Sequence, residues 1–205
     1  MLTFREFLAD AANRGEVVNT LFEERLFELV GVLHKITDTL SAERIPYALI
    51  GGLAVLIHVE EASPEHSTLT RDVYLMVRRV DLNRVKEAAS RQGFKFRHAA
   101  GVDMLLPVGT ENTRNAIHLI FSEEKVRANY VLAAPPIRPE EKHIQGKSVM
   151  VLPVSDLLQM KLTSFRDKDR VHIRSMDAAN LINEEIEKAL PPELAERLKH
   201  VRETE

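Results

Sequence analysis

Between Ile45 and His58 the chain reads Ile-Pro-Tyr-Ala-Leu-Ile-Gly-Gly-Leu-Ala-Val-Leu-Ile-His. This stretch limits the fold more than any other. Tyr47 to Ile50 is short, apolar and follows a proline, as a buried strand does. Gly51-Gly52 makes a tight turn, and the apolar run after it is long enough for a helix. A strand feeding a helix through two glycines lets the backbone approach another group closely. It also presents the free N–H groups and positive dipole end of a new helix, where anions such as phosphate bind. The next ordered segment is Thr70-Arg-Asp-Val-Tyr-Leu-Met-Val77. On a strand, Asp72 and Tyr74 share one face because side chains alternate with period two.

The rest of the chain falls around this unit. Residues 2–13 carry an apolar face at helical spacing (Leu2, Phe4, Phe7, Leu8, Ala11), which Gly15 ends. Residues 17–42 carry a wider one, from Val18 through Leu26, Phe27, Leu29, Leu33 and Ile36 to Leu40. A stripe that wide packs on a sheet as a scaffold helix, or extends to a dimer interface. Residues 60–69 are polar, contain Pro64 and form a loop. Val80 to Gln92 is a helix, with Asp81 as its cap and Gly93 as its stop. Strands are expected at Phe94–Arg97, Val102–Leu106, Ala116–Phe121 and Lys147–Leu152, with Pro107–Asn115 as a hairpin-like loop and Ala133–Gly146 Pro-rich and irregular. Helices follow at Val154–Phe165, Asp167–Glu187 and from Pro191-Pro192 onward. Residues 1–152 are thus a mixed α/β core and 153–205 a helical lobe, with a ligand cleft between them.

Composition narrows the function classes. The sequence has 205 residues and no cysteine, which excludes disulfides, zinc–thiolate sites, iron–sulfur clusters and thiol nucleophiles. A net charge of −3 argues against a general nucleic-acid coat. No apolar run reaches membrane-span length and the N-terminus has no signal pattern, so a soluble cytoplasmic protein is expected.

A Gly-Gly turn, a helix, then an Asp-bearing strand entered through Thr70-Arg71-Asp72 resembles the nucleotidyltransferase superfamily, of the minimal or abortive-infection-toxin type. The resemblance covers roughly residues 45–180. It implies an α/β (α+β) fold, a mixed sheet flanked by helices with a C-terminal helical lobe. It also implies transfer of a nucleotide from ATP or another NTP, with Mg or Mn, in a component of toxin–antitoxin type. In that family two metals are held by Asp-x-Asp and a third acid on a neighbouring strand. Two dications about 4 Å apart repel by roughly 16 kcal/mol at an effective dielectric of about 20, so carboxylates must offset them.

Carried onto this sequence, the resemblance makes Asp72 the catalytic, metal-holding acid. Gly51, Gly52, Arg71, Lys161 and Arg166 become the nucleotide-binding set. Tyr74 stands in the second acid's place, and a phenol is a poor ligand for a hard dication. His118, in Asn115-Ala-Ile-His-Leu-Ile-Phe121, stands in the third and suits manganese better than magnesium. Asp103 is the other strand acid that could complete a metal site. Lys161 would meet phosphates as a mobile point charge. Lys161, Ser164 and Lys168 would fall on one helical side if the helix ran unbroken, and Arg166 and Arg170 could clamp an anion. Asp169 and His172 read equally well as an interhelical pair. With one acid of three in place, catalysis is expected to be weak or lost. The alternatives are an inactive module that binds a nucleotide or a partner protein, and a purely structural homo-oligomer. Nucleic acid enters only as an acceptor substrate.

Overall fold

The computed structural model describes residues 24, 26–68, 70, 72–109 and 116–204. The expected helix over 2–13, the start of the 17–42 pattern and Arg71 lie outside them. A helix over 26–42 (α1) leads into β1 (Tyr47–Ile50), which passes directly into α2 (Gly51–Ala62). A short 3-10 turn, Pro64–His66, precedes β2 (Val73–Val77). Then come α3 (Leu82–Arg91), β3 (Phe94–Ala99), β4 (Val102–Pro107), β5 (Ile117–Phe121), β6 (Glu140–Ile144) and β7 (Lys147–Val151). Four helices close the chain: α4 (Val154–Ser164), α5 (Asp167–Ala178), α6 (Glu184–Lys188) and α7 (Pro192–Glu203).

The strands form one seven-stranded sheet in the order β3-β4-β5-β2-β1-β7-β6. Pairing is mixed: β1 runs antiparallel to β2 and parallel to β7, while β2 runs parallel to β5. The central strands β1 and β2 read as continuous apolar runs because both their faces are covered. Leu33, Ile36 and Leu40 of α1, Leu49 of β1 and Leu75 of β2 are each at most 1 % exposed. Each contributes about 1.5–3 kcal/mol of burial free energy. The core is continuous across the expected boundary at 152, since Leu158, Leu162, Ile173 and Leu198 belong to the same buried cluster as β1 and β2.

Several local expectations are corrected. The segment expected to be irregular contains β6, an edge strand that reads as polar because it is largely exposed. It joins β7 through Gln145 (φ 50°) and Gly146 (φ 76°), both left-handed, as a two-residue type I′ hairpin turn requires. Asp81 does not cap α3 with its side chain; its carboxylate instead accepts from Arg78 (2.6 Å) and Arg84 (3.0 Å). The helix expected over Asp167–Glu187 is two helices. The chain breaks after Ala178, turns through Asn180 in a left-handed conformation, and restarts where Asn183 accepts from the Ile186 N–H (2.9 Å). The break expected between α4 and α5, by contrast, is present. Phe165 adopts a left-handed conformation (φ 48°) and ends α4, so Arg166 lies in the corner between the two.

Candidate functional site

Register brings the expected acid positions together. Ile50 pairs with Tyr74, Tyr74 with His118, and His118 with Met104, so these four form one row across β1, β2, β5 and β4. Paired residues on adjacent strands point to the same face. The rings of Tyr74 and His118 stack with centroids 4.7 Å apart and planes 23° from parallel. Asp72, just ahead of β2, lies close enough for its charge to act on both. Burial, and then the Asp72 charge, pushes the Tyr74 phenol up, so it stays protonated at neutral pH. Burial pulls the His118 imidazole down; Asp72 opposes this, and the Lys168 ammonium adds to it.

Asp103 does not join them. It pairs with Leu119, in the next row and therefore on the opposite face of the sheet. There its carboxylate meets His98 Nδ1 (2.6 Å) and lies 3.6 Å from Arg79. It cannot complete a site on the Asp72 side.

The two glycines are packed against the protein's own side chains. Gly51 has φ +79°, and a Cβ there would meet the Tyr74 ring at 3.0 Å. A Cβ on Gly52 would meet Thr70 Oγ1 at 2.5 Å and His172 Nε2 at 3.0 Å. The Gly-Gly pair thus lets β1 turn sharply into α2 while Tyr74, Thr70 and His172 close around it. Ile50 supplies no side-chain cap and the first turn of α2 carries no acid, so its positive end is not offset by its own residues.

Opposite this corner lies α5. Lys168, His172 and Ser175 are spaced four and then three apart and share one helix face. Thr68, Thr70 and Asp72 alternate along the segment entering β2. The two rows run past each other in opposite directions. Ser175 Oγ hydrogen-bonds Thr68 Oγ1, His172 and Thr70 both close on Gly52, and Lys168 Nζ lies 3.9 Å from Asp72 Oδ2. Lys168 is also 6.0 Å from the centre of the Tyr74 ring.

Lys161 is not the mobile charge expected. It is 6 % exposed and donates to Asp169 Oδ1 (3.0 Å) and His172 Nδ1 (3.0 Å). Burial pulls its ammonium down, and Asp169 resists this. Asp169 is fully buried and also accepts from Ser164 Oγ (2.7 Å) and Arg166 Nε (2.7 Å). Burial alone would raise its carboxyl, but these donors hold it well below the ordinary carboxylate range. Burial, reinforced by Lys161, holds His172 at about 4. The neutral ring accepts from Lys161 at Nδ1, so it keeps its proton on Nε2, the nitrogen facing Gly52. Asp169 and His172 thus pair between helices, as one of the two expected readings had it, through Lys161 of α4. Arg166 is anchored to Asp169 from the side, and its charge acts on Tyr74. Arg170 is bound to Asp167 rather than paired with Arg166 as a clamp.

Whether these residues suit a metal follows from their chemistry. Magnesium takes a near-octahedral shell of hard oxygens. Here the row offers one carboxylate in an ion pair with Lys168, a protonated phenol and a neutral imidazole. Among the described residues no group of three or more His, Asp or Glu side chains comes together as a metal cage. The donor set does not fit magnesium.

Lys168, not among the expected nucleotide-binding residues, is the cation that reaches Asp72; its i, i+4 spacing to His172 on a helix starting at Asp167 was the signal in the sequence. A separate groove of about 740 Å³ opens beside His34, Lys35 and Lys147 and includes no residue of this cluster. Its walls are joined by the Lys147–Asp38 and Arg91–Glu43 ion pairs. Of the two, the Asp72 corner carries the charge and hydrogen-bonding pattern of a site. Among the described residues no helix is long and apolar enough to cross a membrane.

No family model matches the chain, and no curated protein does either. Solved structures do. An antigenic nucleotidyltransferase-like protein from Paracoccidioides brasiliensis superposes with a TM-score of 0.56 at 17 % identity, over 86 % of this chain and 88 % of its own. ANT(2")-Ia, solved in complex with adenylyl-2"-tobramycin, gives 0.55 at 12 % identity, over 85 % and 97 %. The Megavirus polyadenylate synthase gives 0.54 at 10 % identity, over 89 % of this chain but only 39 % of its own. The mixed sheet, the strand-to-helix corner at Gly51-Gly52 and these superpositions together identify the architecture as a nucleotidyltransferase-like fold.

Proposed function

We propose that the corner between the start of α2, β2 and α5 binds a nucleotide through its phosphates, and that magnesium-dependent nucleotide transfer by this chain is weak or lost. One observation carries the reading. The cations Lys168 and Arg166 converge on Asp72 and Tyr74 beside a helix N-terminus without a side-chain cap, while two of the three expected acids are Tyr74 and His118. In this reading Gly51 and Gly52 shape the corner and Asp72 orients Lys168. Lys161 is a positioning residue that holds Asp169 and His172. Arg71, next to Asp72 in sequence, is a further candidate for the phosphates.

Calorimetric titration with ATP tests the binding half. Wild type should bind, and the Arg166→Ala/Lys168→Ala double variant should lose at least about tenfold in affinity, as loss of a charge-assisted contact does. Incorporation of labelled nucleotide tests the other half. It should stay near background with magnesium. Robust incorporation that disappears in Asp72→Ala would show an active transferase instead.

The resemblance to abortive-infection toxins extends the reading to a component of toxin–antitoxin type with a protein partner. Co-purification of one stoichiometric partner from the native source would support that extension, and recovery of the chain alone would oppose it.

A further inference from the structure

We propose that the ammonium of Lys168 takes the place of the divalent metal, so that this site accepts the triphosphate of a nucleotide free of any divalent cation. The inference rests on the nucleotide reading above and adds to it the charge state of the ligand.

Lys168 faces every position of the expected metal triad. It lies 3.9 Å from Asp72 Oδ2 and 6.0 Å from the Tyr74 ring, and its charge acts on His118, which is stacked against that ring. A metal ion at the meeting point of those three side chains would have to share the space with this ammonium. Three carboxylates there would form an anionic cage that binds a triphosphate only with dications in between. Among the described residues the charged side chains gathered here are the carboxylates of Asp72 and Asp169 and the cations of Lys161, Arg166 and Lys168. They leave one net positive charge, and such a corner attracts a bare polyphosphate directly. Lys161 and Asp169 are buried against each other, and Arg166 is tied to Asp169. Of these three described cations Lys168 is the least restrained, being half-exposed with a long contact to Asp72 and the Tyr74 ring 6.0 Å away. A lysine ammonium on a flexible stem suits this role, because it can leave Asp72 and follow a phosphate as a compact point charge.

The sign of one substitution separates this from a metal site. In a metal-dependent site Asp72→Asn removes a ligand and weakens nucleotide binding. In the site proposed here it removes the one carboxylate competing for Lys168 and so strengthens binding. The experiment is calorimetric titration of ATP into wild type, Lys168→Ala, Asp72→Asn and a surface control, Lys188→Ala, each in excess EDTA and in excess magnesium. Wild type should bind more tightly in EDTA than in magnesium. Lys168→Ala should weaken binding in EDTA by about tenfold or more, and Asp72→Asn should tighten it several-fold. Lys188→Ala should match wild type. Binding that appears only with magnesium or manganese, and is lost in Asp72→Asn, would overturn this inference and leave the nucleotide reading standing. Absence of ATP binding in both buffers would overturn both.

Discussion

The Tyr74 ring lies flat against His118, its register partner on the neighbouring parallel strand, with 4.7 Å between the ring centres. Such a stack is worth roughly 0.5–1.5 kcal/mol beyond the area it buries. In a nucleotidyltransferase-like fold it occupies positions where the family resemblance leads one to expect carboxylates. Replacing both residues should reverse that trade. Tyr74→Asp with His118→Asp should gain manganese binding, seen as loss of the free-ion signal in electron paramagnetic resonance, and should lower stability by about 1–3 kcal/mol. A double variant that stays folded and leaves the manganese signal untouched would show that Asp72 is not placed for metal.

The glycine corner makes a separate prediction about stability. Gly51→Ala puts a side chain at φ +79° and against the Tyr74 ring, and should destabilise by about 1–3 kcal/mol. Gly52→Ala forces a methyl group against Thr70 Oγ1 and His172 and should cost about as much. Thr70→Ala removes the nearer obstacle, so in a double-mutant cycle it should recover part of the Gly52→Ala loss. Strict additivity in chemical denaturation would place the clash elsewhere.

Acid should destabilise the fold through the Lys161–Asp169–His172 network. His172 is held at about 4, below its ordinary 6.5, so on acidification the unfolded chain takes up that proton first. Stability is therefore lost as pH falls from about 6.5 to 4, by as much as roughly 3 kcal/mol. Asp169 acts in the same direction at lower pH. Its depressed carboxyl contributes stability that is present above its ordinary 3.8 and is lost as pH falls below it. His172→Asn should flatten the denaturation midpoint between pH 6.5 and 4, and an unchanged slope would assign the acid response to other groups. Asp169→Ala, which leaves Lys161 buried without its carboxylate, should destabilise by about 3–5 kcal/mol at neutral pH.

The central fold was legible in the sequence because its signals are local. The Tyr47–Ile50 strand, the Gly51-Gly52 turn and the α2 run follow one another within a single segment, and the strands Val102–Leu106 and Lys147–Leu152 were apolar enough to stand out. The elements that were misread depend on what lies opposite them. Edge strand β6 is exposed and carries little hydrophobic signal. The break at Phe165 was expected and is present, although no glycine announces it: the left-handed residue is a phenylalanine whose ring lies beside His200 and Arg197. What packs across the corner decided the site: Lys161 is buried on Asp169, and Lys168 reaches Asp72. Asp103 stayed an open candidate because sheet register, which sequence alone does not fix, sets its face.

Nucleotide binding at the Asp72 corner is measured most directly by nuclear magnetic resonance of the protein during titration with ATP in EDTA. The His118 and His172 imidazole signals, the Tyr74 ring and the Gly51 and Gly52 amides should shift together and saturate at one affinity, while the Gly101 and Gly146 amides in distant turns stay fixed. Shifts confined to His34 and the groove it lines, or no shift at His118 and Gly51 at saturating ATP, would contradict the account.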